Sequence, residues 1–202
     1  MFKKLAAEAL GISDVGVIIA PADFNKVDAD DYLFHEDGEK IFFLIKSKKD
    51  EYCFTNLGLT HVDGESAVSS KRTIKRYEYG SHRISRVTIE TAGTIDMDVE
   101  LKFYVDDLHF SIDVRKSFLE SLKDIYKALT MISRLQERNE QARLNAQRTL
   151  DAIAGMYKIG TPAAEDAVVK QYNALLENLN STVLDRFGGR DYSAVFEKYI
   201  GH

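Results

Sequence analysis

The sequence predicts an α+β fold in which antiparallel strands, arranged as a sandwich or barrel, come first and helices follow. Three observations carry this. From about residue 40, apolar residues recur with a period of two in seven short segments separated by turn-forming clusters. After residue 117 the period changes to that of a helix and stays there. The chain's 202 residues, 45% of them apolar, are also enough for a substantial core, since surface scaling lets about 70% of the extended chain's surface be buried.

Residues 2–10 place Phe2, Leu5, Ala6, Ala9 and Leu10 at the spacing of a short amphipathic helix that ends at Gly11. Packing onto the domain suits nine residues better than anchoring in a membrane. The opening MFKKLAAEAL lacks the apolar stretch of a secretory signal.

The strand segments are KIFFLIKSK, EYCFTN, LGLTHVDG, RTIKRYEYG, SRVTIETAG, IDMDVELKFYV and LHFSIDVR. They are rich in aromatic and β-branched residues, and turns fall at Lys48-Lys49-Asp50, Asp63-Gly64, Gly80-Ser81 and Ala92-Gly93. Short connections imply antiparallel pairing. Ser117 and Glu120 then have the spacing of a capping box. Phe118, Leu122, Ile125, Leu129 and Ile132 form one apolar helix face suited to covering a barrel end.

That face fades over Gln136–Thr149, which places the domain boundary near here: a barrel domain at 1–130 and a helical region at 131–202. Thr161-Pro162 offers an N-cap with proline following. Val168, Tyr172, Leu175, Leu179 and Val183 repeat at spacings of four and three, a narrow heptad-like seam. It can close against 150–157 as a helical hairpin, pack between chains, or do both. Gly188-Gly189 stops the helix, and Tyr192, Val195, Phe196, Tyr199 and Ile200 decorate a last short one.

Composition excludes several functions. The net charge is −5, with 16 basic and 22 acidic residues in 1–120, which argues against a nucleic-acid module. Cys53 is the only cysteine, so no intrachain disulfide forms and a reduced, cytoplasmic setting is the simplest expectation. No run of apolar residues is long enough to span a membrane. The histidines show no zinc-binding spacing, and no phosphate loop or nucleophile elbow is present. No cofactor or metal is expected.

Residues 87–105, VTIETAGTIDMDVELKFYV, hold four carboxylates: Glu90, Asp96, Asp98 and Glu100. Odd positions are apolar and even positions polar, the pattern of a half-buried hairpin. A three-residue loop would pair Thr91 with Ile95 and Arg86 with Glu100, and would place Glu90 opposite Asp96. Asp96 and Glu100 then lie roughly 13 Å apart along the strand, too far for one ion. The acids read as a solvent or partner face. Glu90 facing Asp96 calls for a bulge or for a basic cover, which an adjacent subunit's Lys71 or Lys75 could supply.

The stretch ETAGTIDMDVELKFYV also resembles the signature of the bacterial pleckstrin-homology (PH) domain family, through Glu90-Thr91-Ala92-Gly93, Asp96, Asp98, Glu100 and Leu101. Phe54 to Gly64 resembles that family's second and third strands, and the last 75 or so residues resemble a YvbH-like helical oligomerisation region. The resemblance implies a PH-like seven-stranded, partly open antiparallel barrel capped by a C-terminal helix and followed by a helical hairpin region. It also implies homo-oligomers, ring-like or larger, without catalytic activity.

The function expected is therefore a non-enzymatic, self-associating interaction module that presents several barrels together, with the chain itself as first partner and another protein or an acidic membrane surface as further ones. The first alternative is a peripheral binder of anionic lipid or phosphoinositide-type headgroups through Lys46, Lys48, Lys49, Lys71 and Arg72. The basic run they belong to continues through Lys75, Arg76, His82, Arg83 and Arg86, and strand alternation can split it between faces. The second alternative, a hydrolase using Asp96 and Asp98, needs one strongly raised carboxyl pKa.

Overall fold

The protein is described from a computed structural model, which covers residues 14–64, 71–91, 98–159, 169–177 and 191–200. Among the described residues, eight strands form two antiparallel sheets. The first holds β1 (Val17–Ile18), β2 (Ile41–Lys46), β3 (Glu51–Thr55), β4 (Gly58–Gly64) and β5 (Arg72–Glu78), in that order. The second holds β6 (Ile84–Thr91), β7 (Asp98–Val105) and β8 (Leu108–Arg115). The seven expected strands are all present, and β1 is an eighth that its two residues were too short to reveal by alternation.

β1 joins the sheets. Val17 and Ile18 pair with Lys46 and Ile45 of β2, while Gly16 makes a parallel bridge to Val114 of β8. Its N–H donates to the Asp113 carbonyl at 2.7 Å, and the Arg115 N–H donates back to the Gly16 carbonyl at 3.0 Å. Only glycine fits here, because a Cβ would stand 2.8 Å from Ile45 Cγ2 and 2.9 Å from the Asp113 oxygen. No ladder joins β5 to β6 among the described residues. The barrel is thus stitched on one side and open on the other.

Aromatic rings from both sheets fill the interior. Phe54 meets Phe103 edge to face at 5.9 Å, Phe103 stacks on Phe110 at 4.9 Å, and Tyr52 and Tyr77 reach Phe110 from the first sheet. The opposite face of the first sheet is buried as well. Leu44, Cys53 and Val62 lie there under Ile19, Val27, Ala29 and Leu33, with Phe24 against them. That cover is a chain of 3-10 turns, Pro21–Lys26, Asp28–Tyr32 and His35–Asp37. Burial on both faces explains why β4 reads as an almost continuous buried run.

Helix α1 runs Leu119–Ile159. Leu122, Ile125, Ala128, Leu129 and Ile132 are fully buried, as the helical spacing predicts. The entry differs from the expected capping box. A 3-10 turn at Lys116–Phe118 contains Ser117, and Glu120 pairs with Lys123 at 2.6 Å instead. The backbone stays helical through Gln136–Thr149. Residues 169–177 form α2, and α3 is Ser193–Tyr199. Two compact units result, one of 1–133 with 190–202 and one of 134–189. Within the first unit, Phe196 of α3 is fully buried and stacks on Phe42 at 5.2 Å, and the Tyr192 N–H donates to the Asn56 carbonyl at 2.9 Å. Among the described residues, no helix is long and apolar enough to cross a membrane.

Candidate functional site

The hairpin formed by β6 and β7 has a different register from the one expected. Thr91 pairs with Val99 and Glu90 with Glu100, in place of the expected Ile95 and Asp96, and Arg86 does not face Glu100. The register also shifts between Ser85 and Thr88, where Arg86 takes a positive φ of 49° and its guanidinium lies over the Tyr104 ring. This bulge inverts the alternation, so Ile84 and Ile89 can both face inward. Asp96 and the turn at Ala92-Gly93 lie outside the described residues.

A basic cover exists, but it comes from the same strand. Lys102 Nζ lies 2.7 Å from Glu90 and 2.9 Å from Glu100, bridging the two carboxylates that face each other across the ladder. Ser111 of β8 also donates to Glu100. Hydrogen bonds from Lys102 and Ser111 hold the Glu100 carboxyl below its usual range. Asp98 pairs in register with Arg115. A general acid needs a raised pKa, and Asp113, across the ladder from Glu100, has one, pushed up by burial and then by Glu100 and Asp98.

The five residues of the expected anionic-ligand patch fall around one end of the first sheet. The β2–β3 turn is closed by Ser47, whose N–H donates to the Asp50 carbonyl at 2.8 Å and whose hydroxyl accepts from the Lys49 and Asp50 N–H groups. Lys48 and Lys49 at its tip are exposed. Gly64 lets the end of β4 lie against this turn, since a Cβ there would stand 2.5 Å from the Lys49 carbonyl oxygen. Gly64 pairs with Arg72, which brings Lys71 and Arg72 to the same end. Lys46 is different: its ammonium is half-buried and pairs with Glu51. Arg72 Nε lies 4.0 Å from Asp28. Lys75 and Arg76, further along β5, pair with Asp63 at 2.6 Å and Glu39 at 3.1 Å.

Two buried acids here carry no sequence signature. Glu51 accepts the Ala29 N–H at 2.8 Å and the Asp28 N–H at 3.3 Å, so it caps the second 3-10 turn. Glu39 accepts the Phe34 N–H at 2.9 Å, the Thr55 hydroxyl at 2.6 Å and the Arg76 guanidinium. A third group lies close by: the donor atoms of Asp50, His61 and Asp63 are all within 4.8 Å of one another. The scattered histidines gave no hint of it. The signal was the strand register, because His61 and Asp63 are two apart on β4 and the pairing of Glu51 with Val62 extends to Asp50 beside Asp63. Cys53 is fully buried, and burial pushes its thiol well above the usual range, in keeping with a packing role.

Of the expected helical seam, Tyr172 and Leu175 lie in α2, and Val168, Leu179 and Val183 lie outside the described residues. Tyr172 is 46% exposed and its neighbour Val169 55%.

A partly open barrel of two antiparallel sheets with a following helix is the architecture of a PH-like domain. The comparisons agree: a model of the bacterial PH domain matches residues 9–133, and the chain belongs to that family. It is 49% identical over 205 residues to the uncharacterized protein YvbH of Bacillus subtilis (strain 168), with both chains covered in full. It is 35% identical over 98 residues to the uncharacterized protein YjqA of the same organism, covering 48% of this chain and 76% of that one. The crystal structure of a PH-domain-containing bacterial protein from Exiguobacterium sibiricum 255-15 matches with a TM-score of 0.85 at 43% identity, over 93% of this chain and 100% of that one. The family is generally non-catalytic.

Proposed function

We propose that the protein is a non-enzymatic, cytoplasmic interaction module that self-associates through its helical region and presents several barrels together. The observation that carries this is the apolar surface of α2, where Val169 and Tyr172, one turn apart, are both exposed. Leu175 and Leu176 are only half-buried on the same helix. Helices in proteins gain stability mainly from packing such a face against another element. Joining barrels in this way raises avidity without a strong single contact. The anionic-headgroup reading draws less support, because Lys46 is committed to Glu51 and the acids Asp28, Asp50 and Asp63 sit among the other cations.

Light scattering after gel filtration on the full chain tests this. The wild type is expected to elute as an oligomer, and Tyr172→Glu with Leu175→Glu to elute as a monomer with an unchanged barrel spectrum. A monomeric wild type would refute the reading. The full chain is required because cutting after residue 130 would also remove α3 from the barrel.

A further inference from the structure

The geometry points to a divalent transition-metal site formed by Asp50, His61 and Asp63, independent of the self-association above. Their donor atoms lie within 4.8 Å of one another. Two donors about 2.1 Å from one ion, at tetrahedral to octahedral angles, are about 3.0–3.4 Å apart. His61 Nε2 and Asp50 Oδ1 already lie 3.3 Å apart, within that range.

The imidazole is held ready. His61 is 8% exposed, its ring stacks on Tyr52 at 4.4 Å, and it meets Phe110 edge to face with centroids 5.9 Å apart. Such packing fixes a ligand's orientation before the ion arrives. The two aspartates remain more open to solvent, with side-chain exposures of 26% for Asp50 and 37% for Asp63, which gives an ion a way in. One imidazole and two carboxylates favour Mn²⁺, Co²⁺ or Zn²⁺, whereas Ca²⁺ takes six to eight oxygens. Three protein ligands leave positions for water or an anionic oxygen.

Lys75 holds the place of the ion. Its Nζ pairs with Asp63 Oδ2 at 2.6 Å, and it faces His61 in the ladder. Metal and ammonium therefore compete for Asp63, and swinging Lys75 out to solvent opens the site.

The test titrates chelator-stripped full-length protein with Co²⁺, followed by visible absorption, and with Zn²⁺, followed by calorimetry, using Mg²⁺ as the control. Saturable binding of one ion per chain is expected. Asp50→Asn and His61→Gln should each weaken it by at least about tenfold, the minimum cost of disturbing even an outer-shell partner. Lys75→Met should strengthen it. Circular dichroism checks that each variant is folded. In the wild type, Mn²⁺ should broaden the His61 imidazole resonances before those of His82 and His109, a readout that needs no variant. Absence of saturable binding, binding indifferent to His61→Gln and Asp50→Asn, broadening that does not start at His61, or binding by Lys75→Met alone would overturn the site. In the last case Lys75 is the permanent counter-ion.

Discussion

Two glutamates hold the outer layer of the first sheet. The N–H groups at the start of each 3-10 turn over 21–37 have no partner within the turn, so they need acceptors. Glu51 serves Asp28 and Ala29, and Glu39 serves Phe34. Each carboxylate is then balanced by a cation from the sheet, Lys46 for Glu51 and Arg76 for Glu39. Arg76 also covers the exposed Phe34 ring, with its guanidinium 4.8 Å from the centroid. Removing one partner of such a pair strands the other. Glu39→Gln is therefore expected to cost about 3 kcal/mol of unfolding free energy, measured by urea denaturation. A loss below one third of that would mean that water replaces Glu39 at Arg76.

The β6–β7 hairpin shows how one residue stabilises an otherwise unfavourable register. Glu90 opposite Glu100 is a like-charge pair that a ladder disfavours. Lys102, two residues along β7, lies on the same face and reaches both. Glu100 has a depressed pKa in the fold, so its contribution is present at neutral pH and disappears as pH falls through that depressed value. Asp113 acts in the opposite sense: its raised carboxyl costs stability when ionised, and protonation on acidification removes that cost. Lys102→Met should consequently destabilise the protein at neutral pH. The gap from wild type should narrow as pH falls through the depressed Glu100 value and that carboxylate becomes neutral. Thermal melts of the two proteins across this range would show it, and a constant gap would mean that Lys102 acts by packing alone.

At the scale of the molecule, the chain leaves the barrel unit after residue 133 and returns to it at 190. The return is specific. Asn56 Nδ2 donates to Asp191 at 2.9 Å, Tyr79 meets the Tyr192 ring at 5.5 Å, and Phe196 covers Phe42. Phe196→Ala removes a fully buried ring, at a cost of about 3 kcal/mol. The loss should appear first in hydrogen exchange, as lost protection of the Tyr192 N–H while β3 and β4 stay protected. Simultaneous loss across the sheet would mean that α3 and the barrel unfold as one unit.

The sequence by itself determined the class of fold, the seven strands and the buried face of α1. These follow from periodicity, which each segment carries within itself: Leu122, Ile125, Leu129 and Ile132 must share a side of any helix, and Val99, Leu101, Phe103 and Val105 a side of any strand. What only the tertiary structure decided are the pairings between segments. The bulge at Arg86 and the register of the β6–β7 ladder set which acids face each other, and parity alone is satisfied by several registers. The 3-10 cover, the two-residue β1, the partners of Glu39 and Glu51 and the grouping of Asp50 with His61 and Asp63 depend in the same way on residues distant in sequence. Periodicity reports which side a residue faces, and only the fold reports what it faces there.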